Sequence, residues 1–569
     1  MAAVWSERHR AAPIRGILRG DEDGGAVAER RRLGWLLVLA AVPAAVEAAV
    51  LVAVGLQSAR PLAPQVTGVW PYDSYHDLRW LLVYHDSWTS FLLGLLAVVV
   101  LRGLLSAGLT ALAWPTGVPR PSWRWLLRRN IEVAALAAVI ISPWAALSVA
   151  FSVVALSWYL LASLLPMLLV APFLQRAGVA AHWWRGLPSL ALLGWSSLNF
   201  VVLTLAGALI AATPGWADVL LAGLAGLVNG LLWRQTVHAA VQPARIRWAR
   251  VPVAPLMILV VVFASVAAQG ATGLAVGGHR QWDPPVVTQR LPDRVRHTVI
   301  VLAGHDSSWD GTPPADPRVV RYSYLGLDDQ RRPRPYGPHA THRTLGSSAA
   351  LLAEQIDEVH RRTRRPVALV GQSEGAMVIS TYLETLPQGS PVDTALLFSP
   401  LIRPGRAYYP PPGHSGWGVA AGWELRLLFG ASNLFREVDS NPDEPFVRSV
   451  LAEAPFYRNR TLCPVAGVRM IAFLPTVSAV EAPPGEYSGI PVYKEPAFHG
   501  GLLGRQTVQD RLVDFIAGDQ VEQARDEYDL LQRTGAAWQA PELLLSLNPI
   551  WSTNREADPA RTGRICEGR

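Results

Sequence analysis

The amino-acid sequence predicts two unlike halves: an all-α transmembrane bundle, then an α/β fold with a doubly wound, mostly parallel sheet. Half of the 569 residues are hydrophobic, and the long apolar segments concentrate before residue 277. After residue 297, short apolar runs typical of buried strands alternate with segments of helical periodicity. That alternation is typical of a parallel sheet covered by helices.

The N-terminal half contains apolar segments near or above the roughly 20 residues that cross a bilayer. The segment 131–173 is too long for one span, because a single helix of that length would extend about 65 Å at 1.5 Å per residue. We therefore predict a hairpin of two spans that turns near Pro143, Ser148 and Ser152, which gives seven spans in total. The segments are 33–54, 91–114, 131–173, 187–212, 219–233 and 253–276.

The distribution of arginine predicts the orientation of these spans. With seven spans and a cytoplasmic N-terminal segment (residues 1–32), the arginine clusters fall in cytoplasmic segments, as the positive-inside rule expects. Everything after the membrane domain (33–277) then lies outside the cytoplasm. Glu47 and Arg102 lie within predicted spans, where they form a structural pair, or Arg102 extends to the interface, or they mark a functional site. The clusters include Arg30–Arg32, Arg120, Arg124, Arg128, Arg129, Arg234, Arg245, Arg247 and Arg250.

Composition excludes several classes of function. The net charge of +7 comes almost wholly from arginine, and no basic stripe interleaved with aromatic residues predicts nucleic-acid binding. The sequence contains no C-x-x-C motif and no His-rich cluster, so we expect no structural zinc and no cofactor. We expect a lipid bilayer as one partner.

The C-terminal half is predicted to begin with a linker (278–296) and to continue as one domain (297–518). Predicted strands lie at 297–303, 318–325, 367–370, 394–399 and 468–474, and predicted helices at 345–363 and 507–516. An insertion (401–462) follows the fourth strand. A C-terminal helix and tail (519–569) complete the chain.

The most specific motif is the pentapeptide Gly371-Gln372-Ser373-Glu374-Gly375, which lies between the strand 366–370 and the helix 376–383. A strand, a tight turn and a helix are the setting of a G-x-S-x-G nucleophile elbow, which raises a serine hydroxyl clear of the sheet. The glycines allow backbones to pass closely where a side chain would clash.

This order of elements, the GQSEG elbow and a late loop with His499-Gly500-Gly501 resemble the α/β-hydrolase family over residues 297–518. The antiparallel first strands common in that family are not evident. The resemblance implies Ser373 as nucleophile and His499 as base, and an oxyanion hole from the backbone N–H groups of Glu374 and His305. It implies Glu481 as the acid after the strand 468–474, with Ser478, Glu486, Glu495 and Asp443 as alternatives.

The sequence thus predicts a membrane-anchored, extracytoplasmic serine hydrolase that acts on an ester, thioester or lipid-like acyl substrate, with the insertion as a lid. The alternative is a membrane scaffold or a lipid- or solute-handling protein whose hydrolase-like domain is a non-catalytic binding module. The only two cysteines, Cys463 and Cys566, fall in the half predicted to be exported. We therefore also predict a disulfide between them.

Overall fold

The computed structural model describes most of the chain. The described residues are 18–154, 157–213, 215–242, 283–402, 407–434, 441–458, 462–475, 490–497, 499–521, 533–535, 537–544 and 546–550. Glu481, Ser478, Glu486, Cys566, the apolar segment 253–276 and the arginines at 245, 247 and 250 lie outside them.

The N-terminal half is helical. Long apolar helices pack against one another, and a 3-10 helix (Gln57–Thr67) and a shorter helix connect the first two long ones. The α-helices are α1 (Leu18–Ala53), α2 (Tyr72–Val83), α3 (Trp88–Ala113), α4 (Trp123–Val154), α5 (Ser157–Val179), α6 (Leu190–Ala212) and α7 (Ala217–Val241).

Five of the described helices, namely α1, α3, α4, α6 and α7, are long and apolar enough to cross a membrane. A shorter apolar stretch, Leu164–Ala177, lies in α5. The segment predicted as a hairpin forms two helices, α4 and α5, which contact each other. The predicted turn position is wrong, because α4 continues through Pro143 as far as Val154.

The predicted direct pair between Glu47 and Arg102 is also wrong. Arg102 donates to both carboxylate oxygens of Asp77, at 2.7 Å from Nε and 2.6 Å from Nη2. Glu47 lies 2.8 Å from Nε2 of His76, whose Nδ1 lies 3.0 Å from Asp77. Polar contacts of His76 and Asp77 therefore connect Glu47 with Arg102. Both residues belong to α2, which lies between the predicted spans 33–54 and 91–114.

The C-terminal half is built on a six-stranded sheet in which all paired strands are parallel, in the order β2-β1-β3-β4-β5-β6. Its strands are β1 (Thr298–Leu302), β2 (Val319–Arg321), β3 (Val367–Gln372), β4 (Val392–Phe398), β5 (Arg469–Pro475) and β6 (Val492–Glu495). Its helices are α8 (Pro285–Thr288), α9 (Leu345–Thr363), α10 (Glu374–Glu384), α11 (Val419–Asn433), α12 (Pro445–Arg458) and α13 (Gln506–Ala517).

Both faces of this sheet are covered, which explains why its strands have continuous apolar sequences rather than alternating ones. Successive strand side chains point to opposite faces. Val299 and Val301 of β1 therefore pack in the core formed with α8 and α13, whereas Ile300 and Leu302 belong to the core that includes α9 and α10. Residues 283–296, predicted as linker, pack onto the first of these cores through Val286, Val287, Leu291 and Val295.

The insertion after β4 forms α11 and α12, and both helices pack against α4 of the helical half. The backbone N–H of Ala420, at the start of α11, donates to Nε2 of His85 at 2.8 Å. Ser142 of α4 donates to the carboxylate of Glu424 at 2.8 Å. The insertion therefore joins the two halves of the protein.

Candidate active site

The candidate site lies at the carboxyl edge of the sheet, between β1 and β3. The chain runs from β1 to β2 on one side and returns to β3 on the other side. The loops after β1 and β3 therefore lie at a topological switch point, which is where open α/β sheets form a ligand-binding crevice. Gly304 and His305 follow β1, and Ser373 follows β3.

Ser373 occupies the sharp turn that the pentapeptide predicts. Its backbone angles, φ 54° and ψ −116°, lie outside the regions that L-residues normally adopt. A Cβ added at Gly371 would lie 2.6 Å from the carbonyl oxygen of Gly375, and one added at Gly375 would lie 2.6 Å from that of Leu302. The two glycines therefore permit the strained turn because their neighbours are backbone atoms that leave no room for a side chain.

His499 lies against the serine. Its Nε2 is 2.8 Å from Ser373 Oγ, which is hydrogen-bond distance for a serine and its general base. The loop between β6 and α13 carries this histidine. Gly500, at φ 80°, lets the loop approach β3 closely, because a Cβ there would lie 3.2 Å from Nε2 of Gln372. The structure thus brings together the two residues predicted as nucleophile and base.

The acid predicted for the triad, Glu481, lies outside the described residues, as do Ser478 and Glu486. The two remaining alternatives are engaged in other contacts. Asp443 forms ion pairs with Arg426, at 2.6 Å, and with Arg448. Glu495 accepts hydrogen bonds from Arg505 at 3.1 Å and from the Tyr493 hydroxyl at 3.3 Å. The identity of the acid stays a prediction.

The two residues predicted to supply the N–H groups of the oxyanion hole, Glu374 and His305, both lie on backbone next to Ser373. Glu374 is the first residue of α10, a position whose N–H has no acceptor within the helix. A Cβ at Gly304, just before His305, would lie 3.2 Å from Ser373 Cβ and 3.7 Å from its Oγ. The backbones on which the two predicted donors lie therefore flank the serine.

The side chains of the same two residues are also joined. Glu374 Oε2 lies 2.9 Å from Nδ1 of His305. Burial raises the pKa of Glu374 to about 7, although its hydrogen bond to His305 opposes the rise. Burial disfavours the charged form of His305, but hydrogen bonds to Glu374 and Glu444 raise its pKa well above the usual value. The carboxylate of Glu374 thus ties the loop after β1 to the start of α10.

This contact belongs to a larger cluster that the sequence analysis missed. It adds Asp306, His342 and Glu444 to Glu374 and His305, and the rings of His305 and His342 stack with centroids 4.8 Å apart. Donor atoms of His305, Asp306 and His342 lie within 4.8 Å of one another, so these three side chains could hold a metal ion. The cluster members come from four separate segments, and no local motif connects them.

The fold and the site together define a parallel α/β domain that presents a serine–histidine pair at its carboxyl edge, joined to an apolar helical region. No protein-family model, curated protein or solved structure matches the chain.

Proposed function

We propose that the C-terminal domain is a serine hydrolase or acyltransferase that passes through an acyl-enzyme. The observation that carries the proposal is the 2.8 Å contact between Ser373 Oγ and His499 Nε2, made at a strained turn in the crevice of the sheet. A serine hydroxyl is a weak nucleophile by itself and requires an adjacent base. The 2.8 Å contact supports His499 as that base.

In the proposed reaction, Ser373 Oγ attacks the acyl carbonyl carbon while His499 Nε2 takes the hydroxyl proton. The carbonyl electron pair moves onto the oxygen, and hydrogen bonds from the backbone N–H groups of Glu374 and His305 stabilise the negative charge there. The bond to the leaving alcohol or thiol then breaks, and His499 returns the proton to that group. Water, or another hydroxyl acceptor, repeats the sequence on the acyl-serine and restores the free Ser373.

Exposed apolar side chains on and next to α11 favour a lipid-like acyl compound as the substrate. Trp423 and Leu427 lie four residues apart on one side of α11 and are exposed by 45% and 69%, and Leu434, the residue after the helix, is exposed by 80%. The same helix packs against α4, a candidate membrane helix, and its start is bound to His85 just before α3. An exposed apolar stripe beside membrane helices is suited to contact lipid. We propose that the insertion, as a lid, receives substrate from the bilayer.

We also propose that the domain lies outside the cytoplasm, in a multi-pass protein of the cell membrane with a cytoplasmic N-terminus. The support is the arginine distribution, which favours seven spans, with Arg30–Arg32 and the cluster Arg245, Arg247 and Arg250 before the last predicted span in the cytoplasm.

The second candidate function places the working part in the helical half. The chain of contacts Glu47–His76–Asp77–Arg102 supports it, because ionisable groups within membrane segments often mark a path for ions or solutes. The α/β domain would then be a non-catalytic binding module.

A fluorophosphonate probe, applied to the detergent-solubilised protein, tests the proposal and separates the candidates. The wild-type protein is expected to be labelled, and Ser373→Ala is expected to lose the label. Ser380→Ala is the matched control, because this serine lies on α10, the helix that follows Ser373, and donates to the Ala376 carbonyl at 3.0 Å. Folded wild-type protein that takes no label would favour the binding module, and equal labelling of Ser373→Ala would contradict the nucleophile.

A further inference from the structure

The cluster beside the candidate active site has the arrangement of a metal centre. Two histidines each have Nδ1 close to a carboxylate: His305 at 2.9 Å from Glu374 and His342 at 3.0 Å from Glu444. Nε2 of His342 lies 2.8 Å from Asp306 Oδ1, whereas Nε2 of His305 lies 2.9 Å from Glu444 Oε1 and 3.8 Å from Asp306 Oδ1. Metal-binding histidines almost always donate the other ring N–H to such a partner, which fixes the tautomer and the ring orientation.

The cluster carries an excess of acceptors. Among the described residues, the buried atoms Glu374 Oε1 and Glu444 Oε2 have no hydrogen-bond donor of good geometry.

We propose that His305, Asp306 and His342 bind one divalent transition-metal ion, with Zn²⁺ preferred, that Glu374 orients His305 from outside, and that Glu444, which lies against both histidines, supports the site. Two imidazole nitrogens and a carboxylate suit Zn²⁺ better than Mg²⁺ or Ca²⁺, which favour all-oxygen sites. Three protein ligands leave the fourth tetrahedral position to water.

The ion would replace the 2.9 Å contact between Glu444 Oε1 and His305 Nε2, and the other distances require little movement. Zinc bonds of about 2.0–2.1 Å in a tetrahedral arrangement separate neighbouring ligand atoms by about 3.4 Å. The two contacts to Asp306 Oδ1, at 2.8 Å and 3.8 Å, bracket that separation. The ring of Phe446 stacks on His305 with centroids 4.7 Å apart and restricts the orientation of this imidazole. The three ligands are only partly exposed, which gives an ion access without a wide opening.

The ion would join three segments: the loop after β1, the residue after the 3-10 helix Pro338–Thr341, and, through Glu444, the start of α12. It would therefore hold in place the loop that flanks Ser373. This role does not depend on the serine chemistry, since none of the ligands contacts the serine hydroxyl in the proposed reaction.

The test uses the full-length, tag-free protein carrying Ser373→Ala, purified in detergent, stripped with a chelator and titrated calorimetrically with ZnCl₂. We expect one Zn²⁺ per chain. Asp306→Asn, which keeps a residue suited to the left-handed backbone at φ 57°, and His342→Gln should each weaken binding at least tenfold. Glu444→Gln should weaken it about 10–100-fold. The control is His297→Gln, because this histidine contacts one carboxylate, Asp393 at 2.9 Å, and should leave binding unchanged.

Thermal unfolding distinguishes a variant that has lost zinc binding from one that has failed to fold. Zn²⁺ should raise the unfolding temperature of the stripped protein, and Asp306→Asn should lose this rise while unfolding near the wild-type temperature without metal. Absence of stoichiometric zinc binding overturns the proposal, as does equal binding by Asp306→Asn and the His297→Gln control. Because the protein carries Ser373→Ala throughout, the outcome is independent of whether the domain is a hydrolase.

Discussion

Gly375→Ala tests whether close backbone packing holds the elbow. A Cβ at this position would lie 2.6 Å from the carbonyl oxygen of Leu302, 2.8 Å from its Cβ and 2.9 Å from the carbonyl oxygen of Ala303. These atoms belong to β1 and the residue that follows it, so they move only if the sheet or α10 moves. Overpacking of this kind costs about 1–3 kcal/mol.

The matched control is Gly346→Ala. Both glycines are the second residue of a helix, α10 and α9 respectively, but a Cβ at Gly346 meets nothing within 4 Å. Alanine favours a helix over glycine by up to about 1 kcal/mol, and both substitutions receive this gain. The control should therefore be neutral or stabilising, whereas Gly375→Ala should be destabilising.

Thermal unfolding of the two variants measures the difference. A change of 1 kcal/mol shifts the unfolding temperature of a domain of this size by about 2–4 °C. Gly375→Ala should unfold several degrees below wild type and react more slowly with a fluorophosphonate, because a displaced α10 moves Ser373 and the N–H of Glu374. The reasoning is refuted if Gly375→Ala unfolds no lower than Gly346→Ala and reacts at the wild-type rate.

Four further predictions follow from the same contacts. Ser373→Ala and His499→Ala should each lower ester hydrolysis by about three orders of magnitude, and Glu481→Gln by less; near-normal kcat/KM in His499→Ala would contradict the base. Protease added outside intact cells should cleave the C-terminal domain, and a reporter active only in the cytoplasm, fused after residue 569, should be silent; a bright reporter would contradict seven spans. Cys463, which is buried, should resist alkylation together with Cys566 until reductant is added, and the bridge should stabilise by up to about 4–5 kcal/mol; two freely alkylated thiols would exclude it. The double variant Trp423→Ser/Leu427→Ser should slow hydrolysis of long-chain esters and leave that of short-chain esters unchanged; equal effects on long-chain and short-chain esters would contradict a role of α11 in binding lipid.

The sequence predicted the features that depend on local pattern. Each predicted strand except one end of β2 falls within a residue or two of its position, because buried parallel strands have short, continuous apolar sequences. Helix α9 begins and ends as predicted, from its apolar periodicity. The elbow was predicted because a single pentapeptide contains both the serine and the glycines that its turn requires.

The features that were missed have no clear local signal in the sequence. Strand β6 has four residues at the edge of the sheet, and its Lys494 and Glu495 weaken the apolar pattern that identifies a strand. The histidine–carboxylate cluster was missed for another reason: each member is an ordinary loop or helix residue until the sheet and the insertion bring the four segments together. Disulfide pairing between Cys463 and Cys566 stays a prediction, since Cys566 lies outside the described residues.

The insertion of the α/β domain contacts the helical half through two helices, and this constrains how substrate reaches the crevice. Helix α11 is bound to His85 and α4, and α12 also packs against α4. The segment 537–544 of the C-terminal tail contacts the helical half as well, where Trp538 stacks on Phe200 with centroids 4.6 Å apart and donates to Thr204 at 2.9 Å. Two helices of one insertion that pack on the same helix oppose its rotation. The exposed stripe of α11 is therefore held beside the membrane helices, which is the orientation that an enzyme drawing acyl chains from the bilayer requires.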